Sequence, residues 1–109
     1  MGRCGLKKSP DKARVYNAIG MYYYTRQRPD EVIPFFQQGL YLQPGYAFAH
    51  NNLGLCLLGK GRINEAIEEF RQAIMAKPFR GMYHVNIGIA YWKKGLHKQA
   101  KKEIQSFLF

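Results

Sequence analysis

The sequence repeats itself with a period of 34 residues. Prolines occur at positions 10, 44 and 78, and glycines occur at positions 20, 54 and 88. Apolar residues keep the same spacing, as Phe36, Phe70 and Ile104 show. A fixed period of this length is typical of stacked repeats, in which each unit must pack against its neighbour to bury its apolar face. We therefore expect a linear array of similar units.

Each period contains two helical patterns separated by a turn. Over residues 63–76, apolar side chains recur at the three- and four-residue spacing of one helix face: Ile63, Ala66, Ile67, Phe70, Ala73 and Ile74. The polar residues off this stripe are predicted to face water: Glu65, Glu68, Glu69, Arg71 and Gln72. Gly61 marks the turn before this helix and Pro78 ends it.

The same pattern along the chain predicts an all-α fold of three antiparallel helix pairs. The expected helices cover residues 11–25, 30–42, 46–59, 63–76, 80–93 and 97–108. Gly20, Gly54 and Gly88 lie in the middle of the first helices, where glycine costs about 1 kcal/mol relative to alanine. Their presence predicts close approach of a neighbouring helix, and Ala66 has the same small-residue role. Pro34 is expected to delay or kink the second helix.

At these positions the chain resembles the tetratricopeptide repeat (TPR) family. The motif residues are Ile19-Gly20, Tyr23, Phe36 and Pro44 in the first unit, Leu53-Gly54, Leu57, Ala66, Phe70 and Pro78 in the second, and Ile87-Gly88, Tyr91, Ala100 and Ile104 in the third. The resemblance covers residues 11–109, with repeats at about 13–46, 47–80 and 81–109. It implies a right-handed superhelical solenoid whose first helices line a concave groove.

The resemblance also indicates which side chains point into that groove. The predicted peptide-binding residues are Asn17, Met21, Tyr24, Phe48, Asn51, Asn52, Leu55, Met82, Asn86, Ile89 and Trp92. Asn52 and Asn86 are repeat-equivalent, so they are expected to stack as amides that can pair with an extended peptide backbone. This arrangement resembles the asparagine ladder in the TPR domain of O-linked N-acetylglucosamine transferases. The alternative is that these amides bond only to water.

The predicted function is that of a non-catalytic module that binds a peptide or helix of a partner protein in the groove. The carboxylate clamp of chaperone cofactors is excluded, because only Asn52 fits among its matching positions and the required cations are missing. Two alternatives remain open. One is a substrate-docking or regulatory segment of a larger enzyme such as a glycosyltransferase. The other is a self-assembling scaffold unit.

The two ends of the chain favour association. Residues 1–10 form a basic segment that matches the tail of a preceding repeat, and the C-terminal helix ends on Phe107, Leu108 and Phe109 without a polar cap. Terminal repeats normally need such a cap. We therefore expect a fragment of a longer protein, an oligomer that associates through the C-terminal helix, or both.

The chain contains 17 Lys and Arg against 7 Asp and Glu, a net charge of +10. Four lysines near the end of the sequence are predicted to share a helix face: Lys94, Lys98, Lys101 and Lys102. A solvated outer face is the favoured interpretation, with contact to an anionic membrane surface as a weaker one. Nucleic acid is disfavoured as a partner, because the first helices are mostly apolar where helical-repeat RNA binders use polar pairs.

No residue pattern indicates catalysis, a cofactor or a metal site. There is no nucleophile–base grouping, phosphate-binding loop or paired-carboxylate motif, and His50 and His84 lack neighbouring ligands at zinc-binding spacing. These two histidines are expected to pack between helices. Cys4 and Cys56 suggest no disulfide framework, and Cys56 is expected in the core. Without a membrane span or secretory signal, the expected location is cytoplasmic, or a soluble face of a larger protein.

Overall fold

The computed structural model describes residues 10–25 and 28–108, and this part of the chain contains six α-helices and no strand. The helices are α1 (Pro10–Thr25), α2 (Pro29–Leu42), α3 (Ala47–Gly59), α4 (Ile63–Ala76), α5 (Gly81–Lys93) and α6 (His97–Leu108). The predicted all-α architecture is confirmed, and each helix begins and ends within one residue of its predicted limits.

The helices form three pairs that stack in a row. α1 packs on α2, α3 on α4 and α5 on α6, and successive pairs meet through α2 with α3 and α4 with α5. α1 also contacts α3, and α3 contacts α5. We call α1, α3 and α5 the inner layer, and α2, α4 and α6 the outer layer. The result is a helical-repeat solenoid measuring 51 × 30 × 19 Å.

None of the helices in the described part of the chain is both long and apolar enough to cross a lipid bilayer.

The hydrophobic core runs between the two layers through all three pairs. On α4 it takes the predicted stripe, with Ala66, Ile67, Phe70 and Ala73 buried. Cys56 is 1% exposed, as predicted for a core residue. Burial raises the pKa of its thiol to about 12, so the thiol stays protonated at neutral pH.

The mid-helix glycines are places of close contact, as predicted. A Cβ atom built on Gly54 would lie 2.6 Å from Cε1 of Phe70, and one on Gly20 would lie 2.5 Å from Cε1 of Phe36. Both rings are fully buried and have no free space into which to move. Each glycine therefore allows an outer-helix ring to press against the backbone of its inner helix.

Of the two effects predicted for Pro34, a delayed helix start is wrong, because α2 begins at Pro29 and includes Pro34, and a kink stays a prediction. Proline at the first position of a helix is favourable, since the N–H it lacks has no partner there. Asp30 and Glu31 in the first turn add favourable charge at the positive end of the helix dipole. These features hold the helix start in place ahead of Pro34.

Two sets of predictions fall outside the described residues. Almost the whole basic segment 1–10 lies there, including Cys4. The side chains of Phe107, Leu108 and Phe109 do so as well.

Gly54→Ala is expected to lower the free energy of unfolding by about 1–3 kcal/mol, because the new methyl group overpacks against the Phe70 ring. Gly59→Ala is the matched control on the same helix, since a Cβ there meets no atom within 4 Å. The control should be neutral or stabilising by about 0.5 kcal/mol through helix propensity. Urea unfolding measures both. Equal effects of the two substitutions would contradict the proposed role of the contact.

Candidate functional site

The eleven predicted peptide-binding residues all lie on the inner layer, but their exposure differs. Asn17, Met21 and Tyr24 lie on α1, Phe48, Asn51, Asn52 and Leu55 lie on α3, and Met82, Asn86, Ile89 and Trp92 lie on α5. Phe48, Met82, Ile89 and Trp92 are exposed, whereas Asn51 and Asn52 are buried. The remaining five are intermediate.

Two rows of apolar side chains cross the inner layer from one repeat to the next. Met21, Leu55 and Ile89 form the first row, and Tyr24, Leu58 and Trp92 form the second. The members on α1 and α3 are half-buried and pack against the core, whereas Ile89 and Trp92 on α5 are 42% and 50% exposed. We call these six residues the apolar rows.

The difference in exposure follows from the stacking of the inner helices. α3 covers one flank of α1, and α5 covers one flank of α3. Tyr24 shows the effect: burial raises the pKa of its hydroxyl, and the nearby Cys56 on α3 raises it further. No inner helix in the described part of the chain covers the corresponding flank of α5. The apolar rows are therefore most open at Ile89 and Trp92.

The asparagines join neighbouring inner helices in pairs. Asn52 Nδ2 donates a hydrogen bond of 2.9 Å to Asn17 Oδ1, and Asn86 Nδ2 donates one of 2.8 Å to Asn51 Oδ1. The two bonds are repeat-equivalent, and each spans the boundary between two repeats. Asn51 is only 2% exposed and Asn52 only 8%. These amides thus contribute to the contacts between repeats.

This geometry corrects the predicted asparagine ladder. Asn52 and Asn86 do not stack as two free amides, because each donates to the asparagine of the preceding inner helix. Nor do they bond only to water, the alternative considered above. The resemblance to the ladder of O-linked N-acetylglucosamine transferases is not supported. Asn86 is half-buried, and its Oδ1 and second N–H take no part in the pairing bond.

Phe48 lies at one end of the inner layer, in an aromatic cluster. Its ring makes edge contacts with Tyr46 and Tyr83, with centroids 6.2 Å and 6.5 Å away, and the guanidinium of Arg80 lies 5.1 Å from its centroid. These residues line a pocket near the N-terminal ends of α3 and α5. Phe48 is therefore part of a distinct environment from the apolar rows.

Trp92 stacks on His97 at the start of α6, with ring centroids 4.0 Å apart and an angle of 29° between the planes. One face of the indole is thus occupied by the chain's own imidazole. The side chain is still 50% exposed, so it remains available to a ligand. It is also the one tryptophan in the sequence, which makes its fluorescence a specific probe of this surface.

His50 and His84 do more than fill space between helices. His50 Nδ1 lies 2.8 Å from Glu69 Oε1, and its Nε2 lies 2.7 Å from the carbonyl oxygen of Pro44. His84 repeats the arrangement with Glu103 at 2.9 Å and the Pro78 carbonyl at 2.7 Å. Each imidazole connects an inner helix, its outer helix and the preceding loop, and we call these two arrangements the histidine clamps.

The histidine clamps show that the predicted position of Glu69 is wrong, and the sequence contains a pattern that indicates them. Glu69 was expected to face water, but its carboxylate is half-buried against His50. The signal lies in the sequence: His, Glu and Pro all recur together at the 34-residue spacing in the second and third repeats. The first repeat has Tyr16 and Phe35 at the histidine and glutamate positions, so it cannot form a clamp.

Both clamps favour the charged imidazolium. Burial by itself lowers the pKa of His50 and of His84, but the hydrogen bonds to the carboxylate and the proline carbonyl, together with the carboxylate charge, raise it above the ordinary value. A neutral imidazole has a single N–H and can donate to only one of the two acceptors. The protonated ring satisfies both.

Comparison with known proteins identifies the class. Two models of the tetratricopeptide repeat match the chain, one over residues 13–46 and the other over residues 47–79. The chain belongs to the tetratricopeptide repeat family. Comparison with curated protein sequences gives no match.

Solved structures share the fold. The second TPR of Spaghetti (RPAP3) bound to HSP90 peptide SRMEEVD is 17% identical, with 94% of this chain and 95% of that chain covered and a TM-score of 0.89. MamA is 29% identical over 92% of this chain and 58% of its own, with a TM-score of 0.85. YrrB, a TPR protein with an unusual peptide-binding site, is 20% identical over 89% and 50%, with a TM-score of 0.83. The chain thus spans little more than half of MamA and half of YrrB.

Asn86→Ala is expected to lower the free energy of unfolding by about 1–3 kcal/mol, because it leaves the buried amide oxygen of Asn51 without its donor. The double variant Asn51→Val, Asn86→Ala should lose less than the sum of the single variants, by about 1 kcal/mol. Urea unfolding gives the double-mutant cycle. Asn64→Ala on exposed α4 surface is the control, within about 0.5 kcal/mol of wild type. Strict additivity would show that the pair contributes nothing.

The clamps predict a pH dependence of stability. Because the folded-state pKa of both histidines is raised, their stabilising contribution is fully present below the unfolded pKa of about 6.5 and is lost as pH rises through the folded pKa. Urea unfolding across this window should show stability falling with rising pH. The Glu69→Gln, Glu103→Gln variant should show a flatter profile, because it lacks both carboxylate partners of the clamps. Identical slopes would contradict the clamp.

Proposed function

We propose that residues 11–109 form one interaction domain of three repeats, and that it binds a segment of a partner polypeptide across the inner layer without catalysing a reaction. The observation that supports this most is the pair of apolar rows. Their Met, Leu, Ile, Tyr and Trp side chains are half-buried or exposed, and none of them is charged. Neighbouring apolar side chains that remain accessible favour an interaction site.

The proposed contacts divide by chemistry. Met21, Leu55 and Ile89, with Tyr24 and Trp92, receive apolar side chains of the partner, which contribute about 25 cal/mol for each Å² of apolar surface buried. Methionine and aromatic residues suit such a surface because they adapt to different partners. The half-buried Asn86 offers its unused amide groups to the partner's backbone.

The asparagine pairs define the limits of this site. Asn51 and Asn52 are buried and support the inner layer, so a ligand reaches them little or not at all. The proposed surface therefore consists of the apolar rows, Asn86 and the exposed Met82, with Asn17 at its edge.

The solved structures support this proposal at the level of fold. One of them holds a peptide, HSP90 peptide SRMEEVD, and another is described as having an unusual peptide-binding site. A stack of helix pairs with the same architecture can therefore present a surface to an extended polypeptide. The chemistry proposed for the partner rests on this chain's own side chains, since sequence identity to these two proteins is only 17% and 20%.

Self-assembly is the second candidate, and the open flank of α5 favours it. Ile89 and Trp92 occupy positions that the next inner helix covers in the first two repeats. An inner helix of a second copy would cover them in the same way. Sedimentation velocity over a range of concentrations separates the two candidates, because self-assembly requires a concentration-dependent increase in mass.

Ile89→Arg is expected to weaken binding of peptides selected from a displayed library by about tenfold or more, because a charge must be desolvated in the apolar rows. Met75→Arg is the matched control: Met75 is 74% exposed on the outer helix α4, so the same change should leave affinity unaltered. Trp92 fluorescence reports the titration. Equal affinities of the two variants, or failure of the wild type to select any peptide, would contradict the proposed surface.

A further inference from the structure

A pocket of about 340 Å³ lies at one end of the inner layer, outside the apolar rows. Its walls come from the two loops that join successive repeats and from the first turns of α3 and α5. The aromatic side chains of Tyr46, Phe48 and Tyr83 form one part of the wall. The residues that line the pocket are neither motif residues of the tetratricopeptide repeat family nor residues at the positions that match the carboxylate clamp.

Three cations line this pocket: Arg14 from α1, Lys77 from the end of α4 and Arg80 from the start of α5. No acidic residue is among the described residues that line it. The Arg80 guanidinium lies over the Phe48 ring, which holds the charge at the pocket wall. Charge of one sign gathered in a concave site attracts a ligand of the opposite sign.

The N-terminal ends of α3 and α5 lie at the same end of the inner layer as these three cations. Tyr46 and Arg80 are the N-cap residues of α3 and α5, and neither helix has a side-chain cap bond or an acidic residue in its first turn. The other two helices with described N-caps, α2 and α4, have acidic residues there. α3 places its first two residues, Ala47 and Phe48, in the pocket wall, so its first-turn N–H groups and the positive end of its dipole lie at the pocket without a compensating acidic residue, whereas α5 contributes Arg80 and Tyr83.

Tyr83 supplies a second, independent observation that points to a ligand. The residue is 0% exposed and lines the pocket, yet its hydroxyl is the one buried side-chain polar atom among the described residues without a hydrogen-bond partner. Burial raises the pKa of this hydroxyl, so it is a protonated donor at neutral pH. A buried donor left unpaired destabilises the protein, and a hydrogen-bond acceptor on a ligand removes that penalty.

We propose that this pocket binds a carboxylate side chain, Asp or Glu, of the partner polypeptide. Lys77 and Arg80 supply the charge, the first-turn N–H groups of α3 and the Tyr83 hydroxyl donate hydrogen bonds, and Phe48 contacts the aliphatic part of the acidic residue. The inference rests on the proposed function, and it adds the chemistry of the partner: an apolar segment with an acidic residue next to it.

The pocket is tested alone with a small probe, N-acetyl-glutamate N-methylamide, added to ¹⁵N-labelled protein. Saturable shifts are expected at the amides of Ala47, Phe48, Arg80 and Tyr83, and the affinity should fall about tenfold in the Lys77→Gln, Arg80→Gln variant, which loses two charge-assisted contacts. The control is Lys98→Gln, Lys101→Gln, which removes the same net charge from α6. Tyr83→Phe should lose about threefold, the effect of one hydrogen bond.

Three outcomes would overturn the assignment. The first is the absence of saturable shifts at these amides. The second is an equal loss of affinity in the pocket variant and the α6 control, which would show a general charge effect. The third is saturation of the same amides by inorganic phosphate at about tenfold lower concentration, which would make the pocket a phosphate site.

Two degenerate peptide pools, identical except for Glu or Gln at one fixed position, connect the pocket to the proposed function. Wild type should retain the Glu pool about tenfold more strongly, and the Lys77→Gln, Arg80→Gln variant should bind both pools alike. If both pools bind wild type equally, the pocket assignment fails while the proposed function stands. If neither pool binds, the proposed function fails, and the probe titration still decides whether the pocket takes a carboxylate.

Discussion

The contact between a mid-helix glycine and the side chain opposite it sets the dimensions of the whole array. Within each of the first two pairs a phenylalanine ring presses on the inner helix where a Cβ atom would leave no room, and in the third pair Ile104 does the same against Gly88. Because the two helices approach so closely, their remaining apolar side chains meet in a continuous layer. The same geometry repeated at a fixed spacing produces pairs similar enough to stack, and stacking buries the faces that no pair covers alone.

Polar contacts are then added at fixed points of this apolar frame. The asparagine pairs act between repeats, and the histidine clamps act within a repeat and on the loop before it. A buried amide or imidazole is costly unless it is paired, so each contact penalises any stacking offset that would separate its partners. The apolar contacts supply most of the stability. The polar contacts lower the free energy of one stacking arrangement of the repeats relative to arrangements that are slightly displaced from it.

The sequence alone predicts what depends on periodicity. Spacing within one or two helices predicts the helix limits, the turn at Gly61 and the buried stripe of α4 that includes Phe70. These predictions are confirmed. The asparagine pairing could not be predicted in the same way, because repeat-equivalent residues are 34 apart and the bonded ones are 35 apart. Glu69 was misplaced for a related reason: a side chain beside the apolar stripe is long enough to reach an imidazole on the facing helix.

The regular spacing of the apolar rows does not by itself fix the register in which a polypeptide binds to the proposed site. Rows of similar side chains at a constant spacing allow a bound polypeptide several registers of similar energy. Most of the asparagine amides cannot distinguish these registers, because they are hydrogen-bonded to each other in pairs. A single charged pocket at one end of the inner layer removes this degeneracy, because only one register places an acidic residue beside Lys77 and Arg80. Affinity would then come mainly from apolar burial and register mainly from charge, consistent with the general role of electrostatics in specificity. On this account the overall charge of +10 matters less than the position of two of its cations.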